Sequence, residues 1–120
     1  MLFRIDPNST IPIYEQIVSQ VIFGIAAGSL GAGELIPSVR DLGERVTVHP
    51  NTVARAYQEL ERKGVVTARR GKGMEVTPDA PRLCREERRA ILVRRLRDAL
   101  REAVSSHLPI EDIRRLVDEE

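Results

Sequence analysis

The chain has 120 residues, 42% of them hydrophobic, and a formal net charge of +1; that is enough for one compact domain and an appendage, but little for a large monomeric core. A near-neutral balance excludes a polycation, so a nucleic-acid role has to come from local asymmetry, and the single Cys84 excludes an internal disulfide. No apolar run approaches the roughly 18 residues a membrane span requires, and Met1-Leu2-Phe3-Arg4 is not a secretory signal, so a soluble cytoplasmic protein without membrane contact is expected.

At the N-terminus, Leu2, Phe3 and Ile5 alternate with Arg4 and Asp6, the period of a short extended arm. Asp6-Pro7-Asn8-Ser9 punctuates it. Ser9 or Thr10 is placed to cap a first helix with Pro12 in its opening turn. Ile13, Ile17, Val21 and Ile25 then recur every four residues with Tyr14, Val18 and Ile22 beside them. A face that broad needs two neighbours. Gly28-Ser29-Leu30-Gly31-Ala32-Gly33 reads as a loop.

Ser38 can cap a second helix carrying Val39, Leu42 and Val46 on one stripe, and Thr47, Val48 and His49 form the turn after it. Pro50 suits the first position of a third helix, where its missing N–H costs nothing; Val53, Ala56, Tyr57 and Leu60 follow at helical spacing. Lys63 complements the negative end of that helix, and Gly64 stands where a left-handed residue is wanted. The period then changes. Val65, Val66 and Thr67 are β-formers, Gly71 and Gly73 frame a tight turn around Lys72, and Met74 to Thr77 return as a second strand. Two short helices followed by a β-ribbon make a winged helix-turn-helix, which assigns residues 1–77 to one domain.

Pro78-Asp79-Ala80-Pro81 opposes helix, so residues 78–82 read as a linker. A long charged helix is expected from about Leu83 to Ser106, with Leu92, Leu96, Ala99 or Leu100, and Ala103 or Val104 in a stripe. Pro109 opens a last helix with Ile110, Ile113, Leu116 and Val117 on one face and Glu111 and Asp112 in its first turn. Residues 83–120 are therefore expected to form a helical hairpin, too small to bury both stripes alone. They must pack on the winged domain or on a second subunit, and dimerisation is the favoured reading. Charge is uneven along the chain: residues 34–75 hold eight basic and six acidic groups, residues 82–101 eight and three, residues 102–120 two and six.

A helix fits the DNA major groove, and its first turn reaches base edges. Here that turn offers His49, Asn51 and Thr52, with Arg55 one turn on. Asn pairs bidentately with adenine, Arg with guanine, and the Thr methyl meets that of thymine. Free N–H groups at the same helix end suit a phosphate. In the turn of the ribbon, Gly71 and Gly73 let backbone come close while Arg69, Arg70 and Lys72 neutralise phosphates. Each has a plainer reading: Arg55 as a surface ion pair with Glu59, Asn51 as helix support, His49 as a turn residue, and Arg69 and Arg70 as a solvated strand edge. RGKG lacks the GxxxxGK[ST] spacing of a nucleotide loop. His49 and His107 have no partner at catalytic spacing, and no cofactor or metal ligand set stands out, so an enzyme is not expected.

The blocks IPSVRDLGERV, HPNTVARAYQELERKGVV and RRGKGMEV, preceded by PIYEQIVSQVIFGIAAGSLGAGELIPS, together resemble the DNA-binding domain of the GntR family of bacterial transcription regulators. They cover residues 11–77, just over half of the chain. The PNTVARAYQELE form joined to a short helical tail is similar to the YtrA-type subfamily. The resemblance implies that Arg40, in the PSxR motif, approaches the DNA backbone or a groove edge, that the wing lies along the minor groove, and that the tail dimerises. Thr47 stands where the family usually has Gly, Gly43 where Ala is usual, and Pro50 where many relatives carry Arg. Gly43 costs roughly 1 kcal/mol of helix propensity, and Thr47 is strained if the turn requires positive φ.

The expectation is a mainly α protein with a small β-wing and a two-helix dimerisation tail. Its expected role is that of a homodimeric, sequence-specific regulator, a repressor on a near-palindromic site in double-stranded DNA. The tail is too small for a typical effector domain, leaving an unknown small-molecule effector only the dimer interface or a pocket between tail and wing. The competing reading is a winged-helix module that binds protein, since the fold serves both purposes.

Overall fold

The computed structural model describes residues 1–120 as five helices and a two-stranded antiparallel sheet. In chain order these are α1 (Ile13–Ala26), α2 (Val39–Val46), α3 (Pro50–Arg62), β1 (Val66–Arg69), β2 (Gly73–Val76), α4 (Ala80–Ser105) and α5 (Ile110–Glu119). They fall into two compact units, Met1–Arg88 and Arg89–Glu120.

In the first unit α3 packs on both α1 and α2. Ile17, Val21, Ile22 and Ile25 of α1 meet the buried side of α3, which holds Val53, Ala56, Tyr57 and Leu60; Leu42, Val65, Val66 and Val76 join the same core. Each fully buried Leu, Ile or Val contributes about 1.5–3 kcal/mol relative to exposure. The broad apolar face of α1 is satisfied within this unit.

α1 starts at Ile13 with Pro12 as its N-cap and no capping side chain. Neither Ser9 nor Thr10 caps it; the Ser9 hydroxyl instead accepts the Ile11 N–H at 3.1 Å, a local turn that competes with capping. The arm ahead of it is held by two glutamines of α1. Gln16 Oε1 accepts the Asp6 N–H, and Gln16 Nε2 donates to the carbonyls of Asp6 and Ile11, each at 2.9 Å. Four residues on, Gln20 takes the N–H of Arg4 at 2.8 Å and donates to its carbonyl. The two amides stand in for a neighbouring strand.

β1 and β2 pair from Val66↔Val76 to Arg69↔Gly73, leaving Arg70-Gly71-Lys72 as the turn. Gly71 has φ 79°, a conformation that excludes most side chains. Beyond the expected ribbon, Leu35 bridges Glu75, with Ile36 N–H donating to Met74 O and Val76 N–H to Glu34 O. The end of the loop before α2 thus lies on the free edge of β2.

α4 begins at Ala80, three residues before the expected start. Pro81 sits in its first turn, where no intrahelical N–H is needed, so the proline that looked like a barrier opens the helix. Ala80 and Cys84 are wholly buried, and Lys63 Nζ reaches Glu87 Oε1 at 3.2 Å. Residues 78–82 are therefore no linker: the early turns of α4 belong to the winged unit, which ends at Arg88. In the second unit the rest of α4 and α5 are joined through His107, at φ 64°, and barely touch one another. Leu92, Leu96, Leu100, Val104, Ile110, Leu116 and Val117 are all exposed.

Candidate nucleic-acid interface

α2 ends in a left-handed residue, and that residue is Thr47, with φ 54° and ψ 52°. The Val48 N–H then bonds back to Gly43 O at 3.0 Å, the closure that follows a left-handed C-terminal residue. A Cβ on Gly43 would stand 2.9 Å from the Val48 carbonyl oxygen, closer than packed atoms tolerate. Gly43 is thus required by close approach of the turn. Tyr57 fixes the other side, its buried hydroxyl donating to Pro37 O at 2.7 Å. Burial raises that phenol well above its ordinary range.

The N-terminus of α3 is closed. Pro50 has no N–H, His49 Nδ1 accepts the Asn51 N–H at 3.0 Å, and the His49 carbonyl accepts from Thr52 and Val53 at 3.0 and 3.3 Å. The first turn is therefore capped, and the free N–H groups expected there for a phosphate are absent. With Nδ1 taken by the Asn51 N–H, Nε2 is the one ring nitrogen of His49 left open to a ligand. The open N–H groups lie at α2, where Ser38 Oγ takes the Asp41 N–H and leaves those of Val39 and Arg40 without an intrahelical acceptor. Arg40 projects beside them. Its contact with Glu44 is 3.6 Å between side chains 87% and 71% exposed, too loose to hold it from an anion.

Opposite the buried residues of α3, Asn51, Arg55, Gln58 and Arg62 follow at spacings of four, three and four, and all are exposed. Thr52 is half-buried at the side of this row. Gln58 is an addition to the residues expected from the sequence, and its three-residue spacing from Arg55 is the signal that places it on this face. Arg55 makes no ion pair with Glu59. Glu59 is engaged by Arg62 at 2.5 Å and Lys63 at 3.8 Å; the hydrogen bond from Arg62 holds its carboxyl below the usual range. Arg55 lies instead over the Tyr14 ring, 3.8 Å from its centroid.

On the wing, Arg69 pairs with Glu75, so part of its charge is already matched. Arg70, Gly71 and Lys72 form the exposed tip, and nothing lies within 4 Å of where a Gly71 Cβ would be. Arg70 and Lys72 are its uncompensated cations. Cys84 is far from reactive: burial, then the nearby Glu87 carboxylate, push its thiol up to about 11.

An outward polar row on α3, a basic hairpin after it, and a tight turn before it define a winged helix-turn-helix of the DNA-binding class. Residues 13–76 match the bacterial regulatory proteins of the gntR family. The chain is 32% identical to the transcriptional repressor YtrA of Bacillus subtilis (strain 168), over 98% of this chain and 91% of that protein. It is similar to a crystal structure described as a transcriptional antiterminator from Listeria monocytogenes EGD-e, with a TM-score of 0.74 and 37% identity, covering 99% and 89% of the two chains. The DNA-binding domain of AraR, solved in complex with operator ORX1, matches with a TM-score of 0.55 and 26% identity over 63% of this chain and 93% of that one. The chain belongs to the gntR family and is a helix-turn-helix transcription regulator.

Proposed function

We propose that the protein is a homodimeric repressor that occupies a near-palindromic operator, with Asn51, Thr52 and Arg55 reading base edges and Arg40, Arg70, Gly71 and Lys72 holding the sugar-phosphate backbone. His49 acts as the cap of the reading helix and has only its Nε2 edge left to offer DNA. Arg69 braces the wing through Glu75 and contributes less charge than its neighbours. The observation that carries this reading is the exposed Asn51, Arg55, Gln58 row set before a wing tip with two unmatched cations. The repressor name of the Bacillus relative and the operator bound to AraR support the same reading.

The dimer rests on the tail. Its exposed leucines, isoleucine and valines need a cover that α4 and α5 barely provide for each other. A second copy presents the same stripe, and two-fold pairing turns one reading helix into two, about one DNA turn apart. In this proposal the winged unit is residues 1–88 and the dimerising unit residues 89–120. An effector, where one acts, binds at that dimer interface, and the assembly works in the cytoplasm.

Selection of bound fragments from the source genome tests the whole proposal. The expected result is a motif with two-fold symmetry upstream of a few genes and a steep fall of log affinity with log salt. A protein-binding winged helix would recover no motif, and its binding to DNA would be weak and sequence-blind.

A further inference from the structure

One candidate reading residue, Arg55, makes a cation–π contact, and its aromatic partner belongs to α1. Tyr14 stands at the second position of α1, half-buried, with its hydroxyl donating to Glu15 Oε1 at 3.2 Å and the Arg55 guanidinium 3.8 Å above its ring centroid. Two features of the contact matter for recognition. A cation–π contact gives the guanidinium no oxygen acceptor, so its five N–H donors are not spent on a carboxylate, whereas a bidentate ion pair would take two of them. Glu59, the carboxylate four residues on along α3, is engaged by Arg62 and Lys63. Arg55 is therefore both restrained and unspent, the condition under which a flexible side chain loses least entropy on binding.

We infer that Tyr14 is the positioning residue for Arg55: its ring sets the orientation in which the guanidinium meets a base edge, so sequence preference depends on a side chain of α1 that touches no base. This rests on the reading of Arg55 as a base contact. It places part of the recognition apparatus outside the helix-turn-helix, in the helix that otherwise serves as core.

The test is a double-mutant cycle on the full chain, with two probes: a duplex selected from a random library by the unaltered protein, and a mixed-sequence duplex. Tyr14→Leu is expected to weaken binding to the selected duplex by about 3- to 10-fold, the cost of ordering one long side chain, with the mixed duplex unchanged. Tyr14→Phe keeps the ring and is expected to retain the affinity. In an Arg55→Ala background, Tyr14→Leu is expected to cause no further loss. Equal Tyr14→Leu losses with and without Arg55, or equal losses on both duplexes, would overturn the inference while leaving Arg55 as a reader. An Arg55→Ala protein that still prefers the selected duplex would overturn the Arg55 reading itself, and Tyr14 with it. The Arg55 Nε–H resonance gives a second readout, independent of DNA: it is expected upfield from ring current in the native and Tyr14→Phe proteins and unshifted in Tyr14→Leu. Identical resonances in all three would overturn the contact.

Discussion

Replacing Thr47 with glycine should stabilise the protein. Thr47 occupies φ 54°, ψ 52°, a region that costs an L-residue about 1–2 kcal/mol and a β-branched one at the upper end. Its side chain is exposed, so nothing packed is lost with it. Glycine returns roughly 0.4–1 kcal/mol through the greater freedom of the unfolded chain. The net gain is about 1 kcal/mol, which for a unit of this size raises Tm by about 4–8 °C. Thr47→Ala isolates the cause, because alanine keeps the left-handed cost and should leave Tm nearly unchanged. Calorimetry of the three proteins at one pH and concentration decides the matter. If Thr47→Gly melts at or below the native temperature, the strain assigned to this turn does not exist. The same turn explains Gly43. Gly43→Ala gains up to about 1 kcal/mol of helix propensity but sets a methyl 2.9 Å from the Val48 carbonyl. It should lower Tm in the native background and do so less beside Thr47→Gly, whose turn can shift.

Three further outcomes are expected. Gln16→Leu removes the partners of the Asp6 N–H and of two carbonyls, and should cost about 2 kcal/mol in urea unfolding; a neutral result would mean that the arm is not docked in solution. The folded chain keeps the Cys84 proton up to about pH 11 where the unfolded chain releases it near 9.0. Its contribution is thus fully present below about pH 9 and lost as pH rises toward 11, so Cys84→Ala should flatten the alkaline fall of Tm; parallel curves would refute it. Finally, Leu96→Asp with Leu100→Asp should convert a dimer to a monomer in sedimentation without lowering the Tm of the winged unit, and a surviving dimer would move the interface elsewhere.

What the sequence disclosed and what it hid follow from the range of the interactions involved. The helices, the turn and the wing are encoded locally, by Ser38, Pro50 and Gly71 at caps and corners and by apolar residues at helical spacing, so their order was readable. Pro81 misled because a proline both ends helices and begins them, and only the burial of Ala80 and Cys84 behind it decides which. The Gln16–Asp6 and Gln20–Arg4 clamps, the Leu35 bridge and the contact of Arg55 with the Tyr14 ring join residues 10 to 41 apart, and no local pattern announces them. Histidine is an uncommon helix cap, so the closure of α3 by His49 was missed, and with it the location of the open N–H groups at α2. Gln58 was legible and overlooked: it lies one helical turn from Arg55 on the same face.

The proposed recognition mode divides the work between a reading helix and an anchoring wing. Binding of Arg55→Ala and Lys72→Ala should therefore be titrated on the selected operator and on mixed-sequence duplex across a series of salt concentrations. Arg55→Ala is expected to lose about 10-fold or more on the operator alone, the worth of a bidentate base contact. Lys72→Ala should weaken both duplexes alike and flatten the salt slope by about one per protomer. Equal losses from the two variants on both duplexes would contradict the assignment of reader and anchor.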